Sequence, residues 1–348
     1  MYSTSATEPA RASGPRAETA ARPKLTRVDI EVIDAANISY EEFLRRYAHA
    51  NRPVVVDNCV GRWPAMKKWQ PAYFKEKFQQ QPVQVAYDRA MPFDQFIDDV
   101  MASSAEKPGP YMFRLFLHEH LPELLEDLIP QNVYAYPRRL TSPLMPERLR
   151  RPDGYLKLLI GGPGSKFPVM HFDGDNAHAS ITEIYGDKEM ILYAPEDGPN
   201  IYPNPKAPNT SMIEDPTSPD LDRFPLLAKA VQYRAVLRPG QMVFIPCRWW
   251  HTARPVTPSV SVCVNMLDDS NWPGFVDVAC RGSSGLKAVV KRAYLTGLGG
   301  LLSACEGLQK ASPTLARALV LPLKLSPTSA AVAAEPSARQ LKIRIPTD

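Results

Sequence analysis

No run of apolar residues in this chain approaches the roughly 20 that a membrane-spanning helix needs, which excludes an α-helical membrane protein. The first 27 residues are rich in Ala, Ser, Thr, Pro and Arg without an apolar stretch, so a secretory signal is excluded. Glu8, Glu18 and the missing amphipathic pattern argue against a transit peptide, and a disordered leader is expected instead. Cysteine is scarce and odd in number. Cys59, Cys247, Cys263, Cys280 and Cys305 show no metal-type spacing and read as free thiols in a reducing compartment, hence a cytoplasmic location. A formal charge of +4 is too small and too dispersed to imply nucleic acid binding, and no aromatic and basic stripe supports it.

What is present is enough apolar sequence, 44% of residues, for one large core or two modest ones. Within it stands His171-Phe172-Asp173, answered far downstream by Trp249-Trp250-His251. Residues i and i+2 of an extended strand point to one side, so His171 and Asp173 can reach one metal together. The third ligand must come from another strand. His251 suits the place because it follows a turn glycine, Gly240, and the apolar run Met242 to Ile245. Two histidines and one carboxylate make a facial triad that binds Fe(II) and keeps positions open for small ligands.

Gly186-Asp187-Lys188 separates two strand-like runs, Ala179 to Tyr185 and Glu189 to Tyr193, and reads as a hairpin turn with Lys188 opening the second strand. Lys188, Met190 and Leu192 then share a face, where a lysine is costly to bury unless an anion meets it. Further on, Ser259, Ser261, Cys263 and Asn265 alternate with Val260, Val262 and Val264. Such a strand lines a polar cavity with one face and packs on a core with the other. Asn265 is either a pocket ligand or a strand-end asparagine bonded to backbone. His178 is either a fourth metal ligand or a loop residue facing substrate, and the second reading is preferred because a fourth protein ligand would fill a position that oxygen chemistry requires. His49, His118 and His120 read as surface residues.

With these residues in hand, the chain resembles the JmjC-type cupin family, in the cupin-like domain 8 branch that includes the asparaginyl hydroxylase acting on hypoxia-inducible factor. The resemblance covers roughly residues 28 to 272. It includes Pro53-Val54-Val55-Val56, Arg62-Trp63-Pro64-Ala65 with Trp69, Asp220 to Pro225, and Leu237-Arg238-Pro239-Gly240. It implies a double-stranded β-helix, a jelly-roll barrel with flanking helices, and His171, Asp173 and His251 as iron ligands. By the same resemblance Lys188 pairs with the distal carboxylate of 2-oxoglutarate, Asn265 lies near metal and co-substrate, and O2 is the second co-substrate. The chain departs from its relatives in two places. The asparagine often found after the first ligand has no unique counterpart, with Asn176, His178 and Ala179 competing for it. Phe167 and Pro168 stand where relatives often carry a serine or threonine.

Helices are expected at Ser39 to His49, with a Ser39 cap, at Pro71 to Gln80 and at Leu121 to Ile129. Strands are expected from Pro53, from Val83, and in a main run from Leu156 to Asn265, with an irregular connection from Pro195 to Pro225. Leu286 to Leu302 and Pro313 to Leu321 suggest further helices, forming either a solvated basic face or an element for homodimerisation or docking. Residues 1–27 are thus expected to be a leader, 28–272 the catalytic domain, 273–325 a helical C-terminal extension and 326–348 a disordered tail. The function implied is an Fe(II)- and 2-oxoglutarate-dependent dioxygenase, a hydroxylase of a protein or peptide side chain or of a small molecule. The alternatives are a non-catalytic cupin-fold binding or regulatory protein, and a metal-dependent hydrolase or isomerase on the same barrel.

Overall fold

A computed structural model describes residues 24–86, 89–135, 139–140, 142–150, 156–312 and 314. Most of the expected leader, the expected tail, and all but Thr314 of the helix expected at Pro313–Leu321 lie outside the described residues. Thr26–Asp29 already forms a strand, parallel to Val231–Leu237, so regular structure begins slightly before the expected start of the catalytic domain.

Two sheets face each other. The larger runs Val32–Asp34, Val54–Asp57, Met242–Ile245, His178–Tyr185, Ser259–Met266, Lys157–Gly161, Tyr111–Phe116, and the smaller runs Thr26–Asp29, Val231–Leu237, Lys188–Tyr193, Trp250–Pro255. The non-sequential order, with successive strands crossing between sheets, is that of a jelly-roll β-sandwich with flanking helices. The strand Ser259–Met266 shows why the sequence folds this way. Val260 and Val262 pack with Trp69, Phe74 and Phe96, and Val264 packs with Phe43 and Phe244, all on the helix-covered back of the large sheet. Each buried valine stabilises by about 1.5–3 kcal/mol, so a one-residue slip that turned them inward would cost several kcal/mol. Ser259, Ser261, Cys263 and Asn265 are thereby committed to the interior between the sheets.

The expected hairpin at Gly186 does not form. His178–Tyr185 pairs with Met242–Ile245 and Ser259–Met266, whereas Lys188–Tyr193 pairs with Val231–Leu237 and Trp250–Pro255, so the turn carries the chain from one sheet to the other. Gly186 has φ +74°, and a Cβ there would lie 1.9 Å from the Pro258 carbonyl oxygen, so both conformation and space demand glycine. Two strands joined by a short turn can still belong to opposite layers, which local pattern does not reveal.

Ser39 caps the first helix by accepting from Glu42 N–H at 3.1 Å, after which Tyr40–Phe43 continues as a π-helical stretch, Leu44–Ala48. A helix forms at Pro71–Phe78, while Pro122–Leu128 winds as 3₁₀ rather than α. At the C-terminal end, Trp272–Cys280 and Gly285–Ala311 pack through Trp272, Phe275, Leu295, Leu298 and Leu302. Arg139, 1% exposed, pins the long helix by ion-pairing with Glu306 at 2.8 Å and donating to Ser303. Leu286, Val289, Val290 and Leu301 of the long helix are exposed.

Candidate metal centre

The segment Phe167–Phe172 is held from both sides rather than built as a regular strand. Phe167 N–H donates to Ala253 O, and His171 exchanges a pair of bonds with His251, N–H to O at 3.0 Å and O to N–H at 2.7 Å. On its other edge Phe172 N–H donates to Asn209 O and Ser211 N–H to Met170 O. Trp249 and Trp250 fix the opposing strand, the first by donating to Asn51 O at 3.0 Å and the second by packing edge-on against Phe172.

The ligand atoms of His171, Asp173 and His251 all lie within 4.8 Å of one another. His171 Nδ1 is 3.2 Å from Val169 O and His251 Nδ1 is 2.9 Å from Trp249 O. A carbonyl only accepts, so both Nδ1 atoms carry the proton and both Nε2 atoms are left with a lone pair. Asp173 Oδ2 accepts from Asn265 Nδ2 at 2.9 Å, and Lys157 Nζ donates to Asn265 Oδ1 at 3.3 Å. Burial alone would raise the Asp173 carboxyl, but the charges of His251, Lys157 and His171, with the Asn265 bond, hold it below the usual range. Burial, then the neighbouring His251, pushes His171 down to about 4. A carboxylate and two imidazoles whose Nδ1–H groups are tied to carbonyls, with ligand atoms within 4.8 Å of one another, are the donor set of a 2-His-1-carboxylate site, and these residues fit a divalent iron.

The centre opens into a cavity of about 170 Å³, lined among others by Tyr111, Phe113, Phe116, Lys157, Phe167 and Cys263. Phe167 stacks on the His171 ring, centroids 4.8 Å apart and planes 17° from parallel, so the place of the missing hydroxyl is an aromatic wall. Ala179 lines the cavity, whereas Asn176 donates to Asn271 O away from it. His178 is engaged at both nitrogens. Its Nδ1 accepts from Cys247 N–H at 2.9 Å, and its Nε2 faces Ser270 Oγ at 3.2 Å and Asp268 at 3.4 Å, outside the metal group.

Lys188 lies deeper. It is fully buried, its Nζ bonds Ser261 Oγ, and Glu183 Oε2 is 3.6 Å away. Its ammonium is also 5.8 Å from the centroid of Tyr111, a cavity-lining ring. Burial pushes the Lys188 ammonium down, opposed by Glu183. Arg254, a second cation nearby in sequence to His251, ion-pairs with Glu189, and neither it nor Lys188 is among the residues lining the cavity. The five cysteines are all free, and the exposed His49 bonds Asp269 at 3.0 Å. Among the described residues no helix is long and apolar enough to cross a membrane.

Pattern reading passed over Lys157, Phe167 as a ring on the metal ligand, and Glu183. The signal for the last was visible: a carboxylate inside the strand-like run from Ala179 to Tyr185, five residues before the lysine.

A jelly-roll barrel that holds two histidines and a carboxylate beside an interior cavity has the donor arrangement of cupin-type metal sites. The profile of the cupin-like domain family matches residues 40–267, and the chain belongs to this family, in its JmjC-type form. The chain is 29% identical to "Jumonji C domain-containing protein 5" of Drosophila melanogaster, over 68% of this chain and 61% of the relative. It is 27% identical to "Lysine-specific demethylase 8" of Xenopus tropicalis, over 64% and 50%. It is also 27% identical to "tRNA wybutosine-synthesizing protein 5" of Danio rerio, over 68% and 74%. The match spans between half and three fifths of the length of the first two relatives.

Proposed function

We propose that the protein is an Fe(II)- and 2-oxoglutarate-dependent oxygenase that hydroxylates a side chain of a protein or peptide, or a small molecule. The observation that carries this is that one ligand atom each of His171, Asp173 and His251 lies within 4.8 Å of the other two, with all three residues lining the interior cavity. Bound iron would supply the activation of O2, coupled to oxidative decarboxylation of 2-oxoglutarate to succinate and carbon dioxide. The chain's own residues do the rest. The carbonyls of Val169 and Trp249 fix the tautomer and aim of the two imidazoles, and Asn265 orients Asp173 and leaves one of its oxygens for the metal. Phe113, Phe116 and Phe167 exclude water from the reacting volume. Lys188 takes the distal carboxylate of the co-substrate. The interior pair Cys263 and Ile181 lines the cavity, and the next pair inward, Ser261 and Glu183, brackets that lysine.

The names of the relatives point to lysine and arginine demethylation and to tRNA modification, so the shared barrel accommodates different prime substrates. Demethylation would use the same step on an N-methyl carbon. For self-association, the exposed stripe Leu286, Val290 and Tyr294 on the long C-terminal helix favours pairing with a second copy. Adding 2-oxoglutarate to the Fe(II)-loaded protein without oxygen tests the main reading. The weak visible charge-transfer band of a chelated keto acid, followed by succinate on admitting O2, is the expected result. No band and no succinate would leave a binding protein, and turnover without oxygen a hydrolase or isomerase.

A further inference from the structure

The inner end of the barrel holds a carboxylate where an anion-binding pocket needs a cation alone. Glu183 and Lys188 are both fully buried, with Oε2 and Nζ 3.6 Å apart, too far for a hydrogen bond but close enough for an ion pair. Neither Glu183 oxygen has a hydrogen-bond partner, and the buried Tyr111 hydroxyl and Ser259 Oγ also have none. Four buried polar atoms of Glu183, Tyr111 and Ser259 are therefore without a hydrogen bond, which is costly in a protein interior unless a further group or proton completes them. The position is built by the register: Ser261 stands opposite Glu183 across the two central strands, one step inward from Cys263 and Ile181.

We propose that Glu183 is a specificity-determining residue of the co-substrate site: it occupies the anion place at Lys188, so a keto acid with a distal carboxylate binds only as Glu183 takes up a proton. This rests on the reading that Lys188 receives that carboxylate. Two carboxylates cannot both stay ionised around one buried ammonium, since the second adds like-charge repulsion in a poorly solvated space. The balance is one dianion of 2-oxoglutarate and one proton from solvent bound together, with Glu183 neutral and able to donate its new O–H to the incoming carboxylate. The free protein is already disposed to this. Burial raises the Glu183 carboxyl to about 7, with the Lys188 charge pulling it down and Asp187 pushing it up. The other titratable groups facing the pair are Tyr111, raised by burial and by Glu183, and Cys263, raised by burial. Both stay neutral through the range in which Glu183 titrates.

The test is calorimetric titration of the Mn(II)-loaded full chain with 2-oxoglutarate, in buffers of different ionisation heat, between about pH 7 and 8.5. The comparison ligand is 2-oxopentanoate, the same keto acid with a methyl group in place of the distal carboxylate. Proton uptake with 2-oxoglutarate should rise from about half a proton at pH 7 to nearly one at pH 8.5, with none taken up with 2-oxopentanoate, and 2-oxoglutarate affinity should fall up to about tenfold per pH unit at the upper end of this range. In Glu183→Gln the uptake should vanish and the affinity should become flat with pH. Should that variant not fold, the contrast between the two ligands on the wild-type protein decides alone. Absence of proton uptake with 2-oxoglutarate, or its persistence in Glu183→Gln, overturns the inference. The reading beneath it fails separately: Lys188→Met binding 2-oxoglutarate as tightly as wild type would show that the carboxylate goes elsewhere.

Discussion

Replacing Asn265 with alanine probes the proposed metal centre without touching a proposed ligand. Asn265 Nδ2 donates to Asp173 Oδ2 at 2.9 Å, and Asn265 Oδ1 accepts from Lys157, so the amide ties a carboxylate ligand to a cation across the cavity. A hydrogen bond to a charged group contributes about 1.5–3 kcal/mol, which at about 1.4 kcal/mol per decade corresponds to a 10- to 150-fold effect. Loss of a partner that orients a metal ligand gives a similar range, roughly 10- to 100-fold in metal affinity. Asn265→Ala should therefore weaken Fe(II) or Co(II) binding by one to two orders of magnitude while the fold persists. Two effects act in the same direction: Asp173 is freed to turn, and its carboxyl, now held low in part by this bond, titrates at higher pH. Metal titration at pH 6 and pH 8, followed by the Co(II) visible spectrum, separates them. The titration effect shrinks at pH 8 and the orientational one does not. Unchanged affinity at both pH values would refute the argument that Asn265 acts through Asp173.

Asp173→Ala removes a charged ligand and should abolish turnover and most Fe(II) binding, measured by equilibrium dialysis; near wild-type affinity would remove Asp173 from the site. The raised Glu183 carboxyl stabilises the fold fully below its ordinary value of 4.5 and loses that contribution as pH rises toward about 7. Urea unfolding should then show wild type losing about 2–3 kcal/mol between pH 5 and 7 relative to Glu183→Gln/Lys188→Met, at about 1.4 kcal/mol per unit. Arg139→Met breaks a buried pair and leaves Glu306 uncompensated, so proteolysis within Gly285–Ala311 should accelerate while metal affinity stays unchanged. Sedimentation equilibrium should report a dimer that Val290→Glu converts to a monomer, because it charges the centre of the exposed helical stripe.

Much of the site was legible before any coordinates. Period-two alternation assigned Ser259, Ser261, Cys263 and Asn265 to one face, and the structure places all four inside the barrel, because three valines on the other face have a helical layer to bury against. The paired motifs around His171 and His251 pointed to one metal because two histidines and a carboxylate are a recognisable donor set whatever the backbone does between them. Local pattern states which side a residue faces and says nothing of what stands opposite. Hence the turn at Gly186 was expected to close a hairpin, and only the packing of two sheets shows that it links them. A helix was expected over Leu286 to Leu302, but that Leu295, Leu298 and Leu302 enter the core while Leu286 and Val290 face solvent depended on where Trp272 and Phe275 lie. Lys188 was seen to need an anion. That the nearest one is the chain's own Glu183, and that Lys157 joins Asn265 108 residues away, are facts of strand register. Burial makes such long-range charge pairings matter most, and tertiary structure alone decides them.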